Sequence, residues 1–463
     1  MKFKTTVILV AVFAALLVFV LLFESKSKGK KEEEKKLVDL SSADVEKMSL
    51  KKEDETIAFS KDEKGDWLIT EPLEAKADTY EVNRLAEDFS GLKFERLAEA
   101  EAADQAKYEI PKKELTLWYK NRPEPVKLLF GMENPIDNTI FSKKEGDPRI
   151  VLLATNLKTQ LEKKVFDFRQ KDIFKFEPED VAGLKLRAKD IAWEVRKKDD
   201  GWFFQAPLAA LAKKSRVEDI LRALSGMRAK EFVAETKTDE EIAKFGLKDA
   251  EYSVSLSLPS KDQEATFFLH KEDDKVYVTT SLSPKIILAE GQVITDIEKN
   301  VEDIREKAVL VFNSWEADKV RVKRGDLVLT VVKNAEDKWL FEDGGKEADS
   351  SKLETFIRKI EGLEAAEFVD APANLQEYGL APPQVEVTVW TKSGEKETEF
   401  QVLFGTEDQE KKQVVAKNPK LEYLFRVDSS VLGDFPKEVK DWTPAPLEDK
   451  SDEKKEEKKG DDQ

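Results

Sequence analysis

The stretch GDWLIT (65–70) returns as DGWFFQ (200–205) and again as DKWLFE (337–342). In each copy a tryptophan follows charged turn residues and opens a short apolar strand. The three tryptophans are Trp67, Trp202 and Trp339, spaced 135 and 137 residues apart. Self-similarity at a fixed period is the signature of a chain built from tandem folding units. The sequence therefore predicts three copies of one module.

A helix follows the tryptophan strand in every copy. We predict that it begins at a capping box, in which the cap side chain and a glutamate three residues later satisfy each other's amides. The three boxes are Asp78–Glu81, Ser215–Glu218 and Ser351–Glu354. Apolar residues then recur with a period of 3.6, and a glycine supplies the left-handed residue that ends the helix. These glycines are Gly91, Gly226 and Gly362.

The second half of each copy is rich in strands. A short segment with an aromatic residue comes first, as KYEIP (107–111), KFGLK (244–248) and EYGLAPP (377–383), and alternating apolar strands follow. Strand runs beside segregated helices indicate the α+β class with largely antiparallel sheets. We expect six or seven strands and two or three helices per module, stiff junctions and an elongated rod. The predicted modules span 37–176, 177–313 and 314–442.

The two ends of the chain have different compositions from the modules. VILVAVFAALLVFVLLF (7–23) is an unbroken apolar run, so residues 1–23 are predicted to be a transmembrane signal-anchor. A cleaved signal peptide is the alternative, but no small-residue cleavage site follows the run. Residues 24–36 are predicted to be a charged tether, and residues 443–463 a disordered tail of acids and lysines. Lysines on both sides of the run leave the orientation open.

Composition excludes several functional classes. The net charge of the 463 residues is −17, which argues against a nucleic-acid-binding surface. There is no cysteine and one histidine, so disulfides, thiol nucleophiles, iron–sulfur clusters and thiolate zinc sites are excluded. The 27 phenylalanines and 8 tryptophans suffice for substantial cores. The chain is therefore acidic and globular in its body.

The candidate chemical groups all have a structural interpretation. His270 has no second histidine to share a metal and is expected at the surface. Acidic pairs such as Asp273-Asp274 lie at predicted turns, and Gly344-Gly345-Lys346 lacks the context of a phosphate-binding loop. We predict no catalytic residue, no metal site and no cofactor. The repeated tryptophans Trp67, Trp202 and Trp339 favour core or edge packing, with a glycan or partner contact as the alternative.

A resemblance to a known family rests on the third copy. The segment Tyr378-Gly379-Leu380-Ala381-Pro382-Pro383, the strand end Phe404-Gly405 and the later Asp428-Ser429-Ser430 resemble the bacterial family called domain of unknown function 4340. The first two copies depart from this pattern, because Glu109 replaces the glycine and His270 stands in place of Gly131 and Gly405. The resemblance implies a membrane anchor, a body outside the cytoplasm and genes beside gliding or auxiliary ABC-type transporter components. It implies no activity.

These observations together predict a structural or interaction protein. We expect it at the inner membrane with a periplasmic body, as an accessory or scaffold of an ABC-type export or envelope system, and without a nucleic-acid partner. One alternative is a module that binds glycan or peptidoglycan, which requires exposed aromatic residues. Another is an unrecognised hydrolase, which requires a deep pocket with carboxylates. The sequence does not identify the partner.

Overall fold

The computed structural model describes residues 35–101, 104–199 and 201–445. Within these ranges, three antiparallel sheets follow one another along the chain, each with its own helices, as expected for three α+β modules. The chain separates into two compact units, one ending at Asp172 and the other beginning at Ile173. The second unit contains the second and third sheets.

The first module is a nine-stranded sheet in the order β4-β3-β2-β1-β6-β7-β8-β9-β5. Its strands are β1 (Val45–Lys51), β2 (Thr56–Lys61), β3 (Trp67–Glu71), β4 (Ala75–Lys76), β5 (Arg96–Glu99), β6 (Lys113–Tyr119), β7 (Val126–Glu133), β8 (Ile140–Lys144) and β9 (Ile150–Leu153). Its helices are α1 (Thr79–Ser90), α2 (Asn156–Glu162) and α3 (Val165–Phe168).

The second module repeats this order as β13-β12-β11-β10-β15-β16-β17-β18-β14. Its strands are β10 (Gly183–Ala188), β11 (Ile191–Lys198), β12 (Gly201–Ala206), β13 (Leu211–Ala212), β14 (Glu231–Ala234), β15 (Tyr252–Leu258), β16 (Gln263–Glu272), β17 (Lys275–Thr280) and β18 (Ile286–Ala289). Its helices are α4 (Lys214–Ser225), α5 (Asp239–Lys244), α6 (Gln292–Ile297) and α7 (Val301–Ile304).

The third module has eight strands in the order β21-β20-β19-β23-β24-β25-β26-β22. Its strands are β19 (Ala317–Arg324), β20 (Leu327–Lys333), β21 (Trp339–Phe341), β22 (Glu367–Val369), β23 (Val385–Ser393), β24 (Lys396–Asp408), β25 (Gln413–Lys417) and β26 (Leu424–Asp428). Its long helix is α8 (Ser350–Glu361). The prediction of six or seven strands was too low, because the edge strands of two to four residues are too short to show alternation.

The long helix of each module packs on one face of its sheet. In α1, Val82, Leu85 and Phe89 are each fully buried, and they join one apolar cluster with the inward residues Leu115 and Leu117 of β6. Burying one such side chain contributes about 1.5–3 kcal/mol. The apolar face predicted from the 3.6-residue period is therefore the contact that holds the helix on the sheet.

The predicted helix caps are correct in the first module only. The Asp78 carboxylate accepts hydrogen bonds from the first turn of α1, at 3.1 Å from Tyr80 N. The other two caps are Lys213 and Asp349, each two residues before the predicted serine, so Ser215 and Ser351 lie in the first helical turn.

Tertiary hydrogen bonds set these helix starts. The amide of each cap residue donates to a carbonyl near the end of its own module. These bonds are Asp78 N to Phe168 O at 2.7 Å, Lys213 N to Ile304 O at 2.7 Å and Asp349 N to Trp442 O at 2.8 Å. The capping-box spacing at the two serines is therefore coincidental.

The glycines end the helices as predicted, but not in the left-handed conformation. Their φ angles are −102° at Gly91, −85° at Gly226 and −79° at Gly362. A Cβ atom on Gly226 would lie 3.1 Å from the Arg222 carbonyl oxygen. Close approach to the last helical turn, and not a positive φ, favours glycine there.

The predicted anchor at residues 7–23, most of the tether and most of the tail lie outside the described residues. Among the residues that the structure describes, no helix is long and apolar enough to cross a membrane.

Candidate functional site

The repeated tryptophans occupy equivalent positions in the three cores. Trp67 and Trp202 are 2% exposed and Trp339 is 1% exposed. These positions agree with the favoured interpretation of core packing, and the alternative, a glycan or partner contact, is corrected because a ligand cannot stack on a buried ring. Lysine ammonium groups lie over two of the rings. Lys61 Nζ is 4.9 Å from the centroid of the Trp67 ring, and Lys333 Nζ is 5.3 Å from that of the Trp339 ring.

His270 fills a gap between two backbone segments. In the first and third modules the equivalent strand residue is glycine, and a Cβ atom on Gly131 or Gly405 would lie about 2 Å from the carbonyl oxygen of Tyr108 (2.1 Å) or Tyr378 (1.9 Å). In the second module the segment that crosses this strand, residues 244–248, contains Gly246 at the point of close approach. A Cβ atom on Gly246 would lie 2.3 Å from the His270 ring. His270 is therefore a packing residue beneath the crossing segment.

The crossing segments of the three modules, residues 107–111, 244–248 and 377–383, cover the second face of each sheet. Tyr108 and Phe141 rings lie 4.5 Å apart in the first module, and Phe245 and Tyr277 rings lie 4.9 Å apart in the second. Each module thus has a small apolar cluster opposite its main core. Tyr108, Phe245 and Tyr378 each pack in the small cluster of their own module.

The acidic pairs lie at turns, as predicted. Asp273 and Asp274 form the β16–β17 turn, and Glu342-Asp343 follows β21. Within the described ranges, no group of three or more histidine, cysteine or acidic residues could hold a metal ion. Gly344 and Gly345 have φ angles of 82° and 62° with open space around them, which is a turn as predicted.

Two carboxylates that line a cleft of the first module make local hydrogen bonds. A cleft of about 490 Å³ in the first module is lined by Asp62, Trp67 and Asp78 among others. Asp62 accepts from the amides of Lys64 at 2.8 Å and Asp66 at 2.9 Å, and Asp78 caps α1. These carboxylates therefore stabilise local backbone.

The most unusual polar group of the second unit is Arg305, where the second module meets the third. Its side chain is 1% exposed, and its guanidinium carbon lies 3.6 Å from the Phe368 ring centroid and 4.6 Å from that of Tyr423. The guanidinium also pairs with Asp370. Arginine suits such a position because its planar cation stacks on aromatic faces and pairs with a carboxylate at once.

Further hydrogen bonds cross the same junction. The Tyr423 hydroxyl accepts from the Leu211 amide at 3.3 Å, and burial raises the pKa of that hydroxyl. The Leu363 carbonyl accepts from Val309 N at 2.9 Å, and the Lys307 carbonyl accepts from Ala365 N at 2.7 Å. The second and third modules are therefore fixed to each other by buried, directional contacts.

The sequence offered no signal for these contacts. In the sequence Arg305 is distinguished only by Arg169, which lies 136 residues earlier, and its ring and carboxylate partners lie 63 to 118 residues further along the chain. Pairing across such distances follows from the placement of whole modules, which no local motif encodes.

Two large apolar side chains are exposed in the segment that enters the third module. Trp315 is 75% exposed and Val311 is 56% exposed. The equivalent positions in the second module are Glu179 and Lys175, both exposed and charged. An exposed indole therefore stands where a sister module has a carboxylate.

The family model for "Domain of unknown function (DUF4340)" matches the chain at residues 67–238 and 202–376. The comparison with curated proteins gives no match. Among solved structures, a DNA polymerase III subunit beta from Pseudomonas aeruginosa is 8% identical over 84% of this chain and 94% of that chain, with a TM-score of 0.17. A sliding clamp from Bartonella birtlesii is 8% identical over 83% and 92%, with a TM-score of 0.14. TM-scores this low do not establish a shared fold.

Proposed function

The chain belongs to the DUF4340 family, domains of unknown function, and from its own geometry we propose that it is a non-enzymatic interaction protein. Residues 1–23 anchor it in the inner membrane, and its modules stand outside the cytoplasm. There it recruits or bridges components of an envelope system, of which an ABC-type exporter is the leading candidate. Confinement to the membrane plane raises the effective concentration of the modules near such partners.

The fixed junction of the second and third modules is the observation that supports this proposal most. Arg305, Phe368 and Tyr423 form a buried stack there, so that two sheets act as one body. A scaffold needs surfaces held at a constant separation, because each flexible joint lowers the gain from binding at two places.

The exposed surface at Trp315 supplies a place for contact. Tryptophan is enriched among the residues that dominate binding energy at protein interfaces. Glu316 and Asn313 flank it, which gives the apolar centre a polar rim. We assign this surface to a protein partner in the envelope.

Neither alternative function gains support from a specific contact. Exposed aromatic rows were the requirement of the glycan hypothesis, and Trp67, Trp202 and Trp339 are buried. The hydrolase hypothesis requires a deep pocket with carboxylates, and Asp62 and Asp78 of the first-module cleft close a turn and cap a helix.

Site-specific photo-crosslinking in living cells tests the proposal. A photoreactive residue at position 315 of the full chain should yield an adduct with an envelope or transport protein, identified by mass spectrometry. The same group at position 179, the equivalent exposed site of the second module, is the matched control and should not give that adduct. Absence of an envelope adduct at position 315, or equal adducts at both positions, would contradict the assignment.

Orientation is tested separately. Protease added to intact spheroplasts should cleave the tether at residues 24–36 and release the modules. Protection in intact spheroplasts with cleavage only after lysis would place the body in the cytoplasm and refute the proposed location.

A further inference from the structure

The first turn of the long helix carries opposite charges in different modules. In α1 and α8 the cap carboxylates of Asp78 and Asp349 accept from backbone amides, the latter at 3.1 Å from Lys352 N. The cap of α4 is Lys213, whose side chain makes no capping bond. The positive end of this 12-residue helix thus lacks the anion that its sister helices supply themselves.

A second charge change lies in the same place. In the first module Glu81 follows the cap by three residues, and its carboxylate pairs with Lys163. The second module has Arg216 at the position of Glu81, while Lys299 keeps the position of Lys163. An ion pair in one module is therefore replaced by two cations in the other.

These cations surround a cleft of about 340 Å³ in the second unit. Its lining includes Lys213, Arg216, Lys299, Arg305 and Lys307. Within the described part of the chain, Lys213, Lys299 and Lys307 have no carboxylate within ion-pair distance, and Arg216 reaches Asp219 only at 3.9 Å. In a protein with a net charge of −17, a cleft whose lining holds five cations and three carboxylates is unexpectedly basic.

The wall of the cleft also contains an unsatisfied buried donor. Arg305 is 2% exposed, and its Nε has no hydrogen-bond partner among the described residues. A buried donor without an acceptor costs about 1–3 kcal/mol. Glu302, Asp303 and Glu364 also line the cleft. Asp303 is already occupied, since its carboxylate accepts from Asn300 N at 2.9 Å.

We propose that this cleft binds a phosphate-type oxyanion. The amides of Lys214 and Ser215, which have no acceptor among the described residues, and the ammonium groups of Lys213, Lys299 and Lys307 provide the donors. Helix N-termini with free amides and basic side chains favour tetrahedral oxyanions, because several donors converge on one group. This inference goes beyond the proposed scaffold role and does not depend on it.

Titration of the purified full-length chain with inorganic phosphate at constant ionic strength tests the site. We expect saturable 1:1 binding by calorimetry. Lys213→Asp places the sister modules' carboxylate in the cleft and should weaken phosphate binding at least about tenfold, the effect of one charged hydrogen bond. Lys299→Gln should do the same.

The stability of the same variants separates loss of the site from loss of the fold. Lys213→Asp restores a helix cap, so without phosphate its unfolding midpoint should rise by about 2–4 °C. Phosphate should raise the midpoint of the parent protein and leave that of Lys213→Asp unchanged.

The matched control is Lys230→Asp. It makes the same charge reversal in the second module, where the side chain is 49% exposed, pairs with Glu290 at 2.7 Å and does not line the cleft. It should change phosphate affinity less than about threefold. Equal weakening by Lys230→Asp and Lys213→Asp, or no saturable binding to the parent chain, would overturn the proposal.

A parallel arm identifies the source of the phosphate. Vesicles of phosphatidylcholine with and without phosphatidic acid are compared with free phosphate as ligands. A headgroup ligand predicts that phosphatidic acid vesicles bind and that Lys213→Asp abolishes this binding. If Lys213→Asp weakens the binding of free phosphate but not the binding of vesicles, the ligand is a soluble phosphate. If Lys213→Asp weakens the binding of neither, the site does not exist.

Discussion

Replacing Arg305 should open the junction between the second and third modules. Its guanidinium stacks on Phe368 at 3.6 Å and on Tyr423 at 4.6 Å, and it pairs with Asp370, whose side chain is 49% exposed. Each desolvated cation–π contact contributes about 1–2 kcal/mol, and the half-exposed ion pair adds at most about 1 kcal/mol. Arg305→Ala also leaves a cavity, whereas Asp370 can turn to water.

After the desolvation of the buried cation is subtracted, the junction should lose about 3 kcal/mol of stability. That corresponds to more than about 100-fold faster hydrogen exchange through local opening. The reporting amides are Glu306, Val309 and Ala365, which bond across the junction or beside it. Their exchange is measured by mass spectrometry on the full-length chain.

Arg321→Ala is the control. Arg321 is an arginine that also contacts an aromatic ring, Trp390 at 5.2 Å, but its side chain is 40% exposed. It should change exchange at the junction less than about threefold. If Arg305→Ala accelerates the same amides no more than Arg321→Ala does, the junction is held by other contacts and the reasoning is refuted.

Three further predictions concern differences between the modules. Glu109→Gly should raise stability by about 1 kcal/mol, because Glu109 has a φ of 54°; an unchanged denaturation midpoint would contradict this. Gly405→Ala should cost more than about 2 kcal/mol, since its Cβ would lie 1.9 Å from a carbonyl oxygen, whereas Gly433→Ala has open space and should be nearly neutral in the same denaturation assay. Trp67→Phe should cost about 1 kcal/mol more than Trp339→Phe, because only the Trp67 indole has a hydrogen-bond partner, at 2.7 Å, and chemical denaturation of both variants checks this.

The sequence predicted those features that repeat within a short window. Helix α1 begins at Asp78 as expected, and the alternating strands and their antiparallel pairing are confirmed. The caps at Ser215 and Ser351 were wrong, because helix starts are fixed by amides that bond to residues about 90 positions later. Short edge strands escaped notice, since two to four residues cannot display a period.

The junction could not be predicted in the same way. The pairing of Arg305 with Phe368, Tyr423 and Asp370 depends on how one module docks on the next. A lone arginine in a run of charged residues has the same local appearance whether it is buried or solvated. Its burial becomes visible only when the position of the next sheet is known, and for that reason the basic cleft beside it was also missed.

Three copies of one fold within one chain allow folding to be distinguished from function. Positions that agree in all copies, such as the core tryptophans, satisfy a constraint that every module shares. Lys213 and Trp315 break the pattern at positions where the fold does not require it, because sister modules fold with Asp78 and Glu179 there. Both exceptions lie in the second unit. Arg305 is not such an exception, because Arg169 is buried at the matching position of the first module, so a buried arginine there satisfies a constraint that these two modules share.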